Sequence, residues 1–299
     1  MNTPTSILKT RGVESLETVE ETLVAADLNW KVEEDQVAGM DTGISFPGSK
    51  LLYRSDDRRP LGIVGEDYSP SDPREFVESQ FEFAEAIGGK VDRVGFIDDR
   101  SKVFSVVSLN NLMKIPREKR KKGDPVGVYI YSTDGWNGWT PCSSRLYLEN
   151  LTCLNGMVSR KIRASLWVSH TKNREVHYGD RWKTFLNEIN VSVKEIRADF
   201  VKLAEERMDE KEFKEVLQKL LPGESKVTEK RRQEILHLFG GGIGNEGLTR
   251  WDAFNAVTEY TTHRRTFRET DTTSKETNRF LGVVEAPDLN EKAFDLLVA

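Results

Sequence analysis

The chain has 299 residues, of which 37% are hydrophobic, 31% charged and 9% aromatic; this is globular composition and excludes a disordered, collagenous or disulfide-stapled miniature protein. The formal charge of −5, from 44 basic and 49 acidic residues, gives nucleic acid no general attraction. No apolar run approaches the roughly 20 residues of a membrane-spanning helix, and Met1 to Arg11 has no apolar centre of a secretory signal, so a cytoplasmic, non-membrane protein is expected.

In chain order, residues 1–45 form an acidic arm with one amphipathic stretch, Leu16 to Leu28. Lys50 to Arg54 and Pro60 to Val64 read as a hairpin joined by Ser55 to Arg59. A helix follows, with Asp72 as cap, Pro73 at its first position, Glu75 completing an approximate capping box, and Gly88-Gly89 as its stop. Phe76, Phe83, Ala84 and Ile87 would face inward. Val91 to Ile97 and Lys102 to Leu109 read as a second hairpin across Asp98-Asp99-Arg100. A basic loop, Lys114 to Lys122, leads to a strand at Val126 to Ser132 and a turn at Asp134-Gly135, and a further strand is expected at Lys161 to Val168. From Trp182 a heptad seam through Leu186, Ile189, Val193, Ile196, Phe200 and Leu203 predicts a helix, either forming a coiled coil between subunits or, as is more frequent, packed on its own sheet or bundle. Shorter helices at Asp209 to Leu221 and Thr228 to Phe239 flank Pro222-Gly223. The fold class expected is α+β: an antiparallel sheet of hairpins with helices on one face, then a helical C-terminal region. Its parts are an arm (1–45), an α+β core with the basic loop (46–175) and a helical region (176–299).

Charge is concentrated. Asn111 to Lys183 carries 14 Lys and Arg against 6 Asp and Glu, leaving −13 for the remainder, and it holds four of the six tryptophans. Cations for phosphates, interleaved with rings on which bases stack, suit single-stranded nucleic acid. The candidate contacts are Lys119, Arg120, Lys121, Lys122, Arg145, Arg160, Lys161 and Arg163, with Tyr131, Trp136 and Trp139 for stacking.

Motifs for other chemistry fall short. Gly242 to Gly247 spells G-x-G-x-x-G, but the preceding residues are helical where a dinucleotide site needs a strand. Read as a phosphate loop, Gly242 to Thr249 has Leu248 in place of the lysine, so the run reads as a linker between helices. His170, His177, His237 and His263 are too scattered for a zinc cluster, and Cys142 and Cys153 match no zinc spacing and read as reduced thiols. Asp56-Asp57 and Asp98-Asp99 read as turn residues. No metal, cofactor or catalytic residue is expected.

The segment Thr249-Arg250-Trp251-Asp252-Ala253-Phe254-Asn255-Ala256-Val257-Thr258-Glu259-Tyr260 predicts a helix capped by Thr249, with Trp251, Phe254 and Val257 facing a core and Asn255, Thr258 and Glu259 in a buried polar network. With the nearby His263, it resembles the signature of a phage- and plasmid-encoded family catalogued as a domain of unknown function. Leu61-Gly62-Ile63-Val64 with Tyr68, Thr133-Asp134-Gly135, Arg145, Cys153-Leu154-Asn155-Gly156 and His170-Thr171 are similar to further family segments; together they span about Leu51 to Leu297. Arg145 and Cys153 stand eight apart, farther than the family pattern. The resemblance implies a protein of a phage, prophage or plasmid acting in a bacterial cell, and it supplies no activity. The order hairpin, helix, hairpin, strand, helix is similar to the core of phage single-strand annealing proteins, a likeness of topology.

The function expected is therefore a non-enzymatic single-stranded DNA-binding or annealing protein in recombination or replication, with self-association into a homo-oligomer. The alternative is a mobile-element interaction protein that binds a host or phage protein; a metal-dependent nuclease ranks below both.

Overall fold

In the computed structural model, residues 6–14, 17–97, 101–119, 121–157, 165–172, 174–271, 273–286 and 288–299 are described, without the side chains of residues 111 and 174–180. A 3-10 turn (Ile7–Thr10) leads to the short strand β1 (Val13–Glu14) and helix α1 (Val19–Ala25), the one helix in the expected amphipathic stretch. The first hairpin forms as β3 (Ser45–Arg54) and β4 (Pro60–Gly65), and β2 (Val32–Ala38) adds to it as a third antiparallel strand. Across this sheet Asp35 stands opposite Leu51, and Leu51 opposite Ile63. Leu23, Leu28 and Trp30 are buried in the main core beside Leu52. At the sheet's inner end Arg54 is buried, paired with Asp56 at 2.6 Å and Asp27 at 3.2 Å, and its guanidinium lies 4.8 Å from the Trp30 ring.

Helix α2 (Pro73–Ala86) starts at Pro73 and buries Phe76, Val77, Gln80, Phe83 and Ala84. Ile87, expected on that face, is half-buried just past the helix. Asp72 holds the cap position with no side-chain bond to its own helix: its Oδ1 accepts the Val32 N–H at 2.8 Å, because β2 crosses in front of it.

The larger sheet comprises β1, β5 (Gly89–Ile97), β6 (Lys102–Ile115), β7 (Asp124–Gly135), β8 (Cys142–Asn150) and β10 (Ser165–Val168) in that spatial order, with β9 (Asn155–Met157) paired to β8. Every pairing in it is antiparallel. The second hairpin and the Val126 strand are present and longer than expected. The last strand is described only from Ser165; the Lys161 end of that expectation lies outside the described residues, as does the Asp98-Asp99 pair.

Side chains alternate across a strand, and both faces of this sheet are covered. Val103, Val107, Val128, Ile130, Leu146 and Leu148 join the main core beneath the larger helices. Phe104, Val106, Tyr131 and Tyr147 form a second core with Ile7, Leu8, Phe280, Val283 and Val284. The second layer joins residues close to both ends of the described chain. Ser6 donates to Glu149 at 2.7 Å, and Arg11 bonds Thr277.

The seam residues lie on α3 (Arg174–Glu205), whose Ile189, Ile196, Phe200 and Leu203 are buried in the same main core. Helices α4 (Glu210–Leu220), α5 (Lys226–Gly241), α6 (Arg250–Glu259), α7 (Lys275–Val284) and α8 (Asp288–Val298) complete the C-terminal region. A π-turn (Tyr260–Arg264) extends α6. The class is α+β, as expected. No helix among the described residues is long and apolar enough to cross a membrane.

Candidate nucleic-acid interface

The basic loop is built on one buried cation. Arg117 turns inward between β6 and β7: its NH2 group donates to Asp252 Oδ1 at 2.5 Å and to the Gly244 carbonyl at 3.0 Å, and its Nε lies 3.4 Å from Asp124 Oδ2. The three side chains are at most 2% exposed. Asp124 also accepts the Trp251 Nε1–H at 3.0 Å, and Asp252 caps α6 in a reciprocal box with Thr249. Asp252 further accepts the Glu246 and Leu248 N–H groups at 2.9 and 3.0 Å. The glycine-rich run is therefore more than a linker: it is a loop pinned on carboxylates, because Glu259 receives the Ile243 N–H at 2.8 Å from the other side. Burial raises the Glu259 pKa.

Outside this anchor, Lys114, Lys119, Lys121 and Lys122 are exposed and pair with no carboxylate among the described residues. Glu118, between them, is engaged by Arg207 at 2.6 Å. Among the described residues the loop thus offers three unpaired ammonium groups, with that of Lys114 beside them at the end of β6, on a backbone fastened at Arg117. Arg120, Arg160, Lys161 and Arg163 lie outside the described residues.

The ring candidates separate sharply. Tyr131 is fully buried, donates its hydroxyl to Glu285 Oε1 at 2.8 Å, and has its pKa pushed well up by burial and then by that carboxylate. Arg145 is used beside it, bonding the Glu285 carbonyl at 3.1 Å with its guanidinium 5.9 Å from the Tyr131 ring. Trp136 is fully buried too, its Nε1–H on the Ser71 carbonyl at 2.6 Å and its ring edge-on to Trp30. Neither Tyr131 nor Trp136 shows a face on which a base could stack, which corrects that expectation: strand alternation and the Trp30 pocket direct both rings into cores. Trp139 is 90% exposed, and Trp167 on β10, absent from the sequence-derived contacts, is 55% exposed. Trp167 pairs in register with Ser143, so both indoles lie at the β7–β8 loop end of the sheet. The lysine loop enters the opposite end of β7, twelve residues long, or roughly 36 Å away at about 3.3 Å per residue. One continuous trough of lysines and rings is not assembled.

The segments that carry the family resemblance converge at two buried places. Asn150 donates to the Asn255 side chain at 3.1 Å, Asn155 to the Asn255 carbonyl at 3.3 Å, and Thr258 to the same carbonyl at 3.0 Å. The His263 Nε2 lies 3.1 Å from the Cys153 carbonyl, and burial lowers its pKa. Burial likewise raises the Cys153 thiol pKa, the reverse of what a nucleophile needs.

At the other place, Asp134 lies between Ser71, which donates to its Oδ2, and His170, whose Nε2 is 2.8 Å from Oδ1. Tyr68 stacks on His170 at 4.8 Å and donates to the Gly135 carbonyl at 2.6 Å. A serine nucleophile needs its hydroxyl on the imidazole. Here the carboxylate stands in the middle, so the trio staples two loops, at Ser71 and at His170, to the end of β7. Among the described residues no group of His, Cys, Asp and Glu is arranged to hold a metal ion.

A family model described as a domain of unknown function, DUF932, matches residues 60–281. No curated protein and no solved structure matches the chain.

Proposed function

Because the chain belongs to the DUF932 family of domains of unknown function, whose description supplies no activity, we propose from its own surface that it binds single-stranded DNA without catalysing a reaction, as a mobile-element protein of recombination or replication. One observation carries the reading: the exposed, unpaired lysines of the β6–β7 loop, held out by the buried Arg117 anchor on a chain whose other parts are net acidic. Free ammonium groups release counterions when they meet phosphates, so they supply affinity without sequence preference. Trp139 and Trp167 provide a second, stacking contact at the far end of the sheet. A strand engaging both would be extended along the sheet rather than enclosed in a trough.

Fluorescence anisotropy with labelled single-stranded oligonucleotides tests this. Binding should be tight at low salt. The joint substitution of Lys119, Lys121 and Lys122 by serine should reduce the log–log salt slope by about two, because each phosphate no longer neutralised takes ~0.7 from it. Absence of binding at low salt, or a slope unchanged by the substitution, overturns it. Preference for duplex over single strands overturns the choice of substrate.

A further inference from the structure

Helix α6 lies across the end of the large sheet that the lysine loop enters. Trp251 donates to Asp124 at the start of β7, Asn150 at the end of β8 donates to Asn255, and His263 lies on the Cys153 carbonyl just beyond. The glycine-rich loop follows the helix along its length: the Glu246 N–H bonds Asp252 in the first turn, and the Ile243 N–H bonds Glu259 in the last. Lys119 joins at the first end, its N–H on the Glu246 side chain. From Asp252 to Glu259 the helix rises roughly 10 Å, at about 1.5 Å per residue.

At the second end the helix closes in the π-turn. The Arg265 N–H donates to the Tyr260 carbonyl, five positions back, at 2.7 Å; such turns recur at functional sites. The turn is fastened on its inner side, where Thr261 bonds Asn290 and Arg279 bonds the Thr262 carbonyl. The two side chains after His263, Arg264 and Arg265, are exposed. Arg264 stands 3.8 Å from the buried Glu259, and Arg265 lies 5.0 Å from the Phe267 ring. Exposed Arg231 faces the same place from α5: burial raises the Tyr260 pKa, Arg231 and Arg265 oppose the rise, and Glu234 adds to it. Three guanidiniums therefore stand against Glu234 and against Glu259, which is already committed to the Ile243 N–H. Residues 260–268 include no carboxylate. Between the two cationic ends, Glu246 is the one carboxylate of the glycine-rich loop, and its side chain is 7% exposed.

We propose that Arg231, Arg264 and Arg265 form a second phosphate-binding site, and that a single strand passes to it from the lysine loop over the glycine-rich loop. The inference rests on the single-stranded DNA binding proposed above and adds the course of the strand. Guanidinium groups suit phosphate because two parallel N–H groups can reach one phosphate. Gly240, Gly244 and Gly247 place no side chain in the path between. A turn held from within keeps its two arginines on a fixed backbone, so less freedom is lost when a strand binds.

Anisotropy of a labelled oligothymidylate across a range of salt concentrations tests this. For R231S/R264S/R265S the log–log salt slope should fall by about two, because each of the lost phosphate contacts removes ~0.7. R231K/R264K/R265K should keep the natural slope, because the charges remain. The circular dichroism of both variants should match that of the natural chain, since the three side chains face solvent. A slope lowered by K119S/K121S/K122S but untouched by the arginine-to-serine set overturns this inference and leaves the DNA-binding reading standing. Absence of binding by the natural chain at low salt overturns both. Equal loss of slope in the serine and lysine sets means that the arginines act through the fold, and overturns the inference as well. Strand length reads the shared path: the natural chain should bind about twelve nucleotides at least about tenfold more tightly than about four, and either serine set should lose most of that gain. A gain kept in full by the arginine-to-serine set overturns the path.

Discussion

Arg117→Met keeps most of the side-chain volume and removes the charge that Asp124 and Asp252 share. Removing one partner of a buried ion pair costs about 3–5 kcal/mol, because the remaining charge is left uncompensated. Here the lower end applies. Asp252 keeps the N–H groups of Glu246, Leu248 and Thr249, and Asp124 keeps the Trp251 indole. With roughly 2.1 cal/mol/K of unfolding entropy per residue, 299 residues give about 0.6 kcal/mol/K, so a destabilisation of about 3 kcal/mol lowers Tm by roughly 5 °C. Thermal and urea unfolding followed by circular dichroism measure it. The partner variant Asp124→Asn should be less damaging in the Arg117→Met background than alone, with a coupling of about 1–2 kcal/mol. A change within about 0.5 kcal/mol, or strict additivity of the two substitutions, would refute the assignment of Arg117 as the anchor of the basic loop.

Burial raises the Glu149 carboxyl from its ordinary 4.5 to about 6. The folded chain therefore holds this proton more tightly than the unfolded one, and the stability gained, about 2 kcal/mol, is complete below about pH 4.5 and lost as pH rises through about 6. Urea midpoints should fall across that window for the natural chain relative to Glu149→Gln; parallel curves would contradict it. Trp136→Ala should cost about 3–5 kcal/mol and Trp139→Ala less than about 0.5, a contrast that urea titration reads directly, and equal losses would contradict the burial assigned to them. Gly62→Ala would place a methyl carbon 2.6 Å from the Trp136 carbonyl oxygen and 2.9 Å from the Asn137 Cα, and should cost about 1–3 kcal/mol; an unchanged midpoint would show that the β7–β8 loop can shift aside.

What was legible in the sequence was whatever local chemistry decides. Pro73 opens α2 and Thr249 caps α6 because those preferences act within one turn. The Val126 to Ser132 run is a strand by its own alternation, but β7 extends to Asp124 and Gly135, polar positions recruited by pairing with Ile115 and Lys102. Burial of rings was not legible. Trp136 and Trp139 stand three positions apart in one polar segment, and the difference between them comes from Trp30 and Ser71, each more than sixty residues earlier. Arg117 and Lys119 are equally alike as letters; what separates them is Asp252, 135 positions later in the chain. Nothing local marks β10 as an edge strand, so the exposure of Trp167 is not legible in the sequence either.

The second layer of the large sheet has a kinetic corollary. Phe104 and Tyr131 share one buried cluster with Ile7, Leu8, Phe280 and Val283, so that side of the molecule closes only after segments some 270 positions apart have met. Contacts of such separation form late and slow the final folding step. A nascent chain would display two aromatic rings on a half-finished surface until α7 had left the ribosome, and in that interval it would be most open to chaperone capture or aggregation.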